Sequence, residues 1–262
     1  MMTNRGRRLA IAACGVLGLA STGSAFDRLL LDRAKSLGEC EHCDFSHAEL
    51  KGIDFKGIKL DESDFSGAML NGVRFEDCGE CNFTGADLTG ARLEGASLDE
   101  AIFENANLTS AAGSDAYIHH ANFVGANLTG AVLKRFNAEK GDFSGANLTN
   151  AAVTGAKLKR AIFTDAIVKG ADFSFADLSS AEMENLDLAG ANFRGATLAG
   201  TNLQGAKLGK ADFTGADLSS SQYSLSSTYD FTGRLVETFA PVKCSDLQEA
   251  GAIFDQTTKC GK

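Results

Sequence analysis

From Phe83 onward a large apolar residue recurs at every fifth position: Phe83, Leu88, Leu93, Leu98, Phe103, Leu108, and so on to Leu218. Of those 28 positions 22 are Leu or Phe, and the exceptions are Gly113, Ile118, Ala138, Val153, Val168 and Met183. Two residues earlier in each unit, the 27 positions from Ala86 to Ala216 carry Ala at 23. Asn or Asp often lies between the two, and Gly often follows two residues after the large one, as in Ala126-Asn127-Leu128-Thr129-Gly130. An earlier block keeps the same beat through Phe45, Leu50, Phe55, Leu60, Phe65, Leu70 and Phe75, and the register slips at 76–82. A fixed period held over this length is the signature of stacked structural repeats.

The unit Ala-(Asp/Asn)-(Leu/Phe)-x-x resembles that of the pentapeptide-repeat family, over residues 43–220. The resemblance implies an all-β solenoid, a right-handed quadrilateral β-helix in which four units make one coil of about 20 residues. Positions one such coil apart should then stack, and Phe83, Phe103, Phe123, Phe143 and Phe163 fall at that interval, as do Phe173, Phe193 and Phe213. Leu88, Leu108, Leu128 and Leu148 form a second column, and Leu158, Leu178, Leu198 and Leu218 a third. A five-residue period alone does not sort Phe from Leu by face, whereas a four-faced shaft does.

The large residue is expected to point inward, with Ala filling the space beside it. At 136–138 the order inverts, Phe136 taking the small slot and Ala138 the large one. That exchange roughly conserves volume. Gly113 has no such compensation and is expected to leave a small cavity beside Leu93 and Leu133. A repeat shaft needs capped ends. Phe26, Leu29, Leu30 and Leu37 sit at helix-compatible spacing and predict an N-terminal cap segment at 26–42. The period is lost over 221–262, which reads as a C-terminal capping tail containing the only proline, Pro241. Ala252-Ile253-Phe254-Asp255-Gln256-Thr257-Thr258 looks like a terminal unit of the family, which implies that the tail folds back on the last coil.

Composition sharpens this picture. The chain of 262 residues has 18 Phe, 3 Tyr, no Trp and 1 Pro, and is 44% hydrophobic. Disorder is excluded by the apolar content, and an ordinary globule would use Trp and more Pro. The N-terminus reads as an export signal: Arg5, Arg7 and Arg8, the apolar stretch Leu9–Ala20, then a small-residue end with cleavage expected after Ala25. That stretch is too short to span a bilayer. Cys14 offers a weak lipid-anchor motif, and Arg7-Arg8 a partial twin-arginine one. Removing residues 1–25 takes three arginines and no acid, moving the net charge from −9 to −12. The acidic balance argues against nucleic acid or an anionic membrane as partner.

Six cysteines follow the signal, and an even number in an exported chain favours disulfides. Cys40-Glu41-His42-Cys43 and Cys78-Gly79-Glu80-Cys81 each precede a Phe-led unit, which places Cys43 and Cys81 in the small inward slot. Cys40, Cys43, Cys78 and Cys81 are open to four readings: disulfides within or between the pairs, free thiols, one zinc site, or redox chemistry. Cys244 and Cys260 are disulfide candidates, closing a loop worth about 3 kcal/mol to a weakly packed tail. His42, His47, His119 and His120 have no ligand spacing, and Glu182 with Glu184 reads as a solvated pair. No nucleophile elbow, metalloprotease or phosphate-loop motif occurs, and no cofactor is implied.

The expected function is therefore a non-enzymatic, exported structural or protein-interaction scaffold that presents flat acidic faces to a protein partner. Two alternatives stand beside it. One is nucleic-acid mimicry, since some family members resemble B-DNA in width and charge and bind DNA gyrase. The other is a cysteine-dependent metal- or redox-responsive periplasmic protein.

Overall fold

The computed structural model describes residues 24–229 and 235–261, with no side-chain placement for 24–28 or 223–240. The expected signal peptide and Cys14 lie outside the described residues. Helix α1 (Ser24–Leu37) leads into the shaft, which is followed by the strands β1 (Gln222–Tyr229) and β2 (Leu235–Pro241) and the short helix α2 (Cys244–Glu249).

The shaft is a ladder of parallel bridges between residues one coil apart. Asn82 pairs with Ile102, Ile102 with Asn122, Asn122 with Asp142 and Asp142 with Ile162, with three further rows running beside this one. Each coil therefore takes four of the five-residue units and turns four corners. The faces are named here by their inward residues Phe45, Leu50, Phe55 and Leu60. At each corner a turn closes by a backbone bond such as Ala86 N–H to Phe83 O, 3.0 Å, and the residue before the closing Ala is left-handed. Positive φ at the third turn residue is the type II geometry. Glycine fills about half of these positions, and the rest are Asn, Asp, His, Ser, Glu, Lys, Arg and, at φ 58°, Phe175. A non-glycine there costs about 1–2 kcal/mol.

Core packing outweighs that cost. The inward phenylalanines of the Phe45 face stack coil on coil: Phe83 on Phe103 at 4.9 Å, Phe123 on Phe143 at 4.7 Å, with rings within a few degrees of parallel. Phe173, Phe193 and Phe213 stack likewise at 5.2 and 5.1 Å on the Phe55 face. Each buried ring contributes about 1.5–3 kcal/mol by transfer, with about 0.5–1.5 more from the paired rings. The Phe and Leu columns expected from the sequence are those observed.

Where the period falters, neighbours adjust. Phe136 and Ala138 are both fully buried, and Gly141 stands in the next small slot with the Phe143 ring 3.1 Å from where its Cβ would be. The expected cavity at Gly113 is not left open. Leu133 Cδ2 lies 2.9 Å from the position a Gly113 Cβ would take, so the leucine of the next coil occupies the vacant volume. The register slip narrows to one corner. The four bridges that cross it, Lys59 to Asp77, Asp64 to Asn82, Met69 to Asp87 and Arg74 to Arg92, span a shortened coil, because the unit from Phe75 to Cys78 is two residues short and has no small slot.

The ends differ in detail from the expectation. The ladder begins at Glu39, bridged to Lys59, four residues before the expected start at 43. Among the described side chains of α1, which do not include Phe26, Leu31 and Ala34 are buried and Leu30 packs alongside, whereas Leu29 and Leu37 are 70% and 59% exposed. The small Ala34 lets the helix backbone approach the first coil, and left-handed Gly38 ends the helix with its N–H on Ala34 O. At the other end, Ile253 and Lys259 pair with Asp212 and Asp217, so residues after α2 add a partial coil to the shaft. Val242 and Leu247 are fully buried beneath it.

Phe136→Ala should lower stability by about 3–5 kcal/mol, and adding Ala138→Leu should restore most of the loss by returning the unit to the ordinary order. Denaturant midpoints measure both. A double variant no more stable than the single one would contradict the volume exchange.

Candidate interaction surface

Outward side chains mostly satisfy their own turns. Asn127 Oδ1 accepts from Thr129 N–H at 3.2 Å and Thr129 Oγ1 at 2.6 Å, while its Nδ2 donates to Thr109 Oγ1 at 3.0 Å in the preceding coil. Asn107 repeats the pattern against Thr109 and Thr89, building a polar ladder along the Leu50 face. Asp87 and Asp172 occupy the same position in their units. Burial pushes both carboxyls up, but bonds from Thr89 and Asn71 to Asp87, and from Ser174, Thr154 and Asn192 to Asp172, hold both below the usual carboxylate range. Asp77, beside the shortened corner, goes the other way, raised by burial and by the neighbouring Asp61.

Hydroxyls also enter the small inward slot. Ser63 Oγ donates to Cys40 O at 2.7 Å and accepts from Cys43 N–H at 3.1 Å, and Thr201 Oγ1 donates to Leu178 O at 2.8 Å. A buried hydroxyl needs such a partner, and the slot supplies a carbonyl from the coil before.

The cysteines meet within their pairs. The sulfurs of Cys40 and Cys43, of Cys78 and Cys81, and of Cys244 and Cys260 are at bonding distance, each pair with Cα atoms 5.5 Å apart. Cys40 and Cys78 stand in the large slot of the Leu60 face, so each bridge ties that slot across the corner to the small slot of the next unit. The coil carrying Leu60 and Ser63 separates the two bridges, and Cys81 Sγ lies 3.0 Å from Leu60 O. Four zinc ligands must converge within about 2.3 Å of one ion. This arrangement does not bring Cys40, Cys43, Cys78 and Cys81 together, and among the described residues no cluster of His, Cys, Asp and Glu has metal-binding geometry.

The histidines pair separately. His42 Nδ1 is 3.2 Å from Glu62, and His119 Nδ1 is 2.9 Å from Asp99 Oδ1. The His47 ring covers Gly67 of the next coil, and His120 is exposed at a corner. Glu182 is exposed, and Glu184 accepts from Asn202 Nδ2 at 3.1 Å.

Charge is unevenly distributed over the four faces. The Phe45 face carries Asp44, Asp64, Glu104, Asp142, Asp165, Glu182 and Glu184 at outward positions with no Lys or Arg. The Phe55 face balances Asp54, Glu76, Glu94, Asp115, Asp172 and Asp212 with Lys56, Arg74, Arg92, Lys134, Arg135 and Arg194. Among the apolar residues that do reach the surface, Phe175 is 70% exposed, its ring lying over Gly195, where a Cβ would stand 2.8 Å from the ring. Its place two residues after an inward Phe was the only signal in the sequence that it faces outward.

Two measurements follow from this geometry. A carboxyl held below its usual range stabilises the fold above that range, and the contribution disappears as pH falls through the lowered pKa. The Asp87→Asn/Asp172→Asn variant, which keeps one acceptor oxygen at each site but not the charge, should have a lower Tm than the parent at pH 7 and lose less of it by pH 3; an equal loss would count against these bonds. Limited reduction of the native protein followed by alkylation and mass spectrometry should label Cys244, which is exposed, and Cys260 first, then Cys40 and Cys43, and Cys78 and Cys81 last. Cys43 is partly exposed, whereas Cys78 and Cys81 are fully buried, and thiol exchange needs access.

Comparison with known proteins agrees with the period. The family model described as pentapeptide repeats matches in 8 copies, over residues 39–77, 77–111, 114–150, 126–165, 160–195 and 196–222. No curated protein matches the chain in sequence. Among solved structures, HetL, a pentapeptide repeat protein involved in heterocyst differentiation regulation in the cyanobacterium Nostoc sp. strain PCC 7120, is 23% identical, with 87% of this chain and 92% of that one covered and a TM-score of 0.34. Full-length QnrB1, a plasmid-mediated fluoroquinolone resistance protein, is 18% identical over 83% of this chain and 94% of its own, with a TM-score of 0.35. With the repeat unit running through the whole shaft and the family model matching most of the chain, the protein belongs to the pentapeptide-repeat family.

Proposed function

We propose that the protein is a non-enzymatic, exported scaffold that contacts another macromolecule through the flat outer faces of a right-handed four-sided shaft. The observation that carries this reading is the filled interior. The inward slots from Phe45 to Leu218 hold buried side chains stacked coil on coil, with neighbours closing in at Gly113 and Gly141, while the outward residues are mostly small, polar and bonded to their own turns. Catalysis and small-ligand binding favour a concave pocket with converging polar groups. A solid shaft offers planes instead.

Three close cysteine pairs suit an oxidising compartment. Among the described residues no helix is long and apolar enough to cross a membrane. The uneven charge favours a protein partner over nucleic-acid mimicry. A mimic of the double helix needs negative charge around its girth, and the Phe55 face carries as many bases as acids. The separation of the two N-terminal cysteine pairs favours structural staples over a shared metal.

Export and oxidation are tested together. A fusion of the N-terminal segment to a reporter active only outside the cytoplasm should be active, and the native protein should weigh about two hydrogens less per cysteine pair than its reduced form. An inactive fusion with every cysteine free would overturn the exported reading and return weight to a cytoplasmic nucleic-acid mimic.

A further inference from the structure

The Leu60 face orders its charges along the shaft. Its leading outward column, one bridged residue per coil, reads Lys59, Asp77, Ser97, Tyr117, Asn137, Lys157, Asp177. Reflected about Tyr117, each charge meets its opposite: Asp77 matches Lys157, Lys59 matches Asp177, and neutral Ser97 matches neutral Asn137. The left-handed corner column of the same face reads Glu62, Glu80, Glu100, His120, Lys140, Arg160, Ser180, its outermost Glu62 falling opposite neutral Ser180. Reflected about His120, which lies in the same coil as Tyr117, Glu100 matches Lys140 and Glu80 matches Arg160.

We propose that this face is a homodimer interface, on which a second copy of the chain lies antiparallel with a two-fold axis crossing the shaft at the Tyr117 coil. A two-fold axis lying in the interface and running across the shaft reverses the order of coils but keeps each column opposite itself. Coils equally far above and below the axis therefore meet, and the charge order becomes two symmetric sets of opposite pairs. Within one chain Lys59 lies one coil from Asp77 and Lys157 one coil from Asp177, but neither couple closes to an ion pair. Four coils separate Asp77 from Lys157, about 19 Å at a strand spacing of about 4.8 Å. Of the ion pairs among the described residues, His42–Glu62, His119–Asp99 and Lys259–Asp217 lie on this face, and none of them engages the charges paired above.

The site is also sterically suited to a second copy. Glu80, Glu100, Lys140, Lys157 and Arg160 are exposed, and Tyr117, 55% exposed, stands at the axis where it meets its own copy. One like pair arises, Asp99 against Glu139, and Asp99 is already held by His119 at 2.9 Å. The face is only a few residues wide, so the pairing is expected to be weak and to depend on salt. The inference goes beyond the scaffold reading and does not depend on export.

Sedimentation of the purified protein tests it. The parent should show a monomer–dimer equilibrium at low ionic strength that shifts to monomer in 0.5 M salt, on the order of the screening expected for exposed pairs. Asp77→Lys/Glu80→Lys and Lys157→Glu/Arg160→Glu should each weaken self-association by about tenfold or more, because each reversal acts twice across the axis. Mixed in equal amounts, the two variants should form a heterodimer as stable as the parent dimer. A parent that is monomeric throughout, a dimer indifferent to either reversal, or a mixture that stays monomeric would overturn the proposal. So would a monomer held on heparin through Lys157 and Arg160, which would assign the basic half to a polyanion.

Discussion

The structure depends on one constraint of volume. Each face of a coil encloses one large and one small side chain, and the coil above must present the same pair at the same place. Phe83 can stack on Phe103, and Phe103 on Phe123, only because each coil returns the chain to the same point after four units. The backbone bonds between coils follow from that return. Tryptophan exceeds the volume, and tyrosine would bury its hydroxyl in an apolar column. Serine and threonine are admitted to the small slot where a carbonyl lies within reach, as Ser63 and Thr201 show.

Departures from the pattern are tolerated when volume moves rather than vanishes. Phe136, Ala138 and Gly141 redistribute bulk among adjoining slots, and Leu133 moves into the space above Gly113. The shortened unit at Phe75–Cys78 is a different kind of departure. It removes a small slot altogether, and the chain places the Cys78–Cys81 bridge immediately after it. The same bridge arrangement at Cys40–Cys43 stands where the shaft begins. Both bridges thus sit where a coil has a neighbour that is absent or irregular, which is where an added tie contributes most to holding a corner.

Much of this was legible in the sequence because an inward position is decided by size. The Phe and Leu columns and the Phe136 exchange follow from the spacing of large and small residues, and the return of the tail to the last coil from its likeness to a terminal unit. What the spacing did not show is what depends on direction or on relaxation. The buried face of α1 turned on how closely Ala34 allows the helix to approach, not on the most apolar residues, so Leu29 and Leu37 face outward. The Gly113 site depended on the freedom of a leucine in another coil. The left-handed corners at Glu80, Lys140 and Phe175 carry residues that disfavour that conformation, and only the strength of the stacking around them explains their presence. The charge order of the Leu60 face is written in the sequence but becomes visible only when residues are read by column.

Backbone amide hydrogen exchange, followed residue by residue, tests the account of the shaft most directly. Within each unit the amides of the small, first outward, large and corner residues bond to backbone, whereas the residue after the large one bonds at most to an Asx side chain. Protection should therefore dip at every fifth residue, with minima at Thr89, Thr109, Thr129 and Thr149, and should keep that phase through to Leu218. Protection with a two-residue or helical period, or a five-residue period with its minima at the inward leucines and phenylalanines, would contradict it.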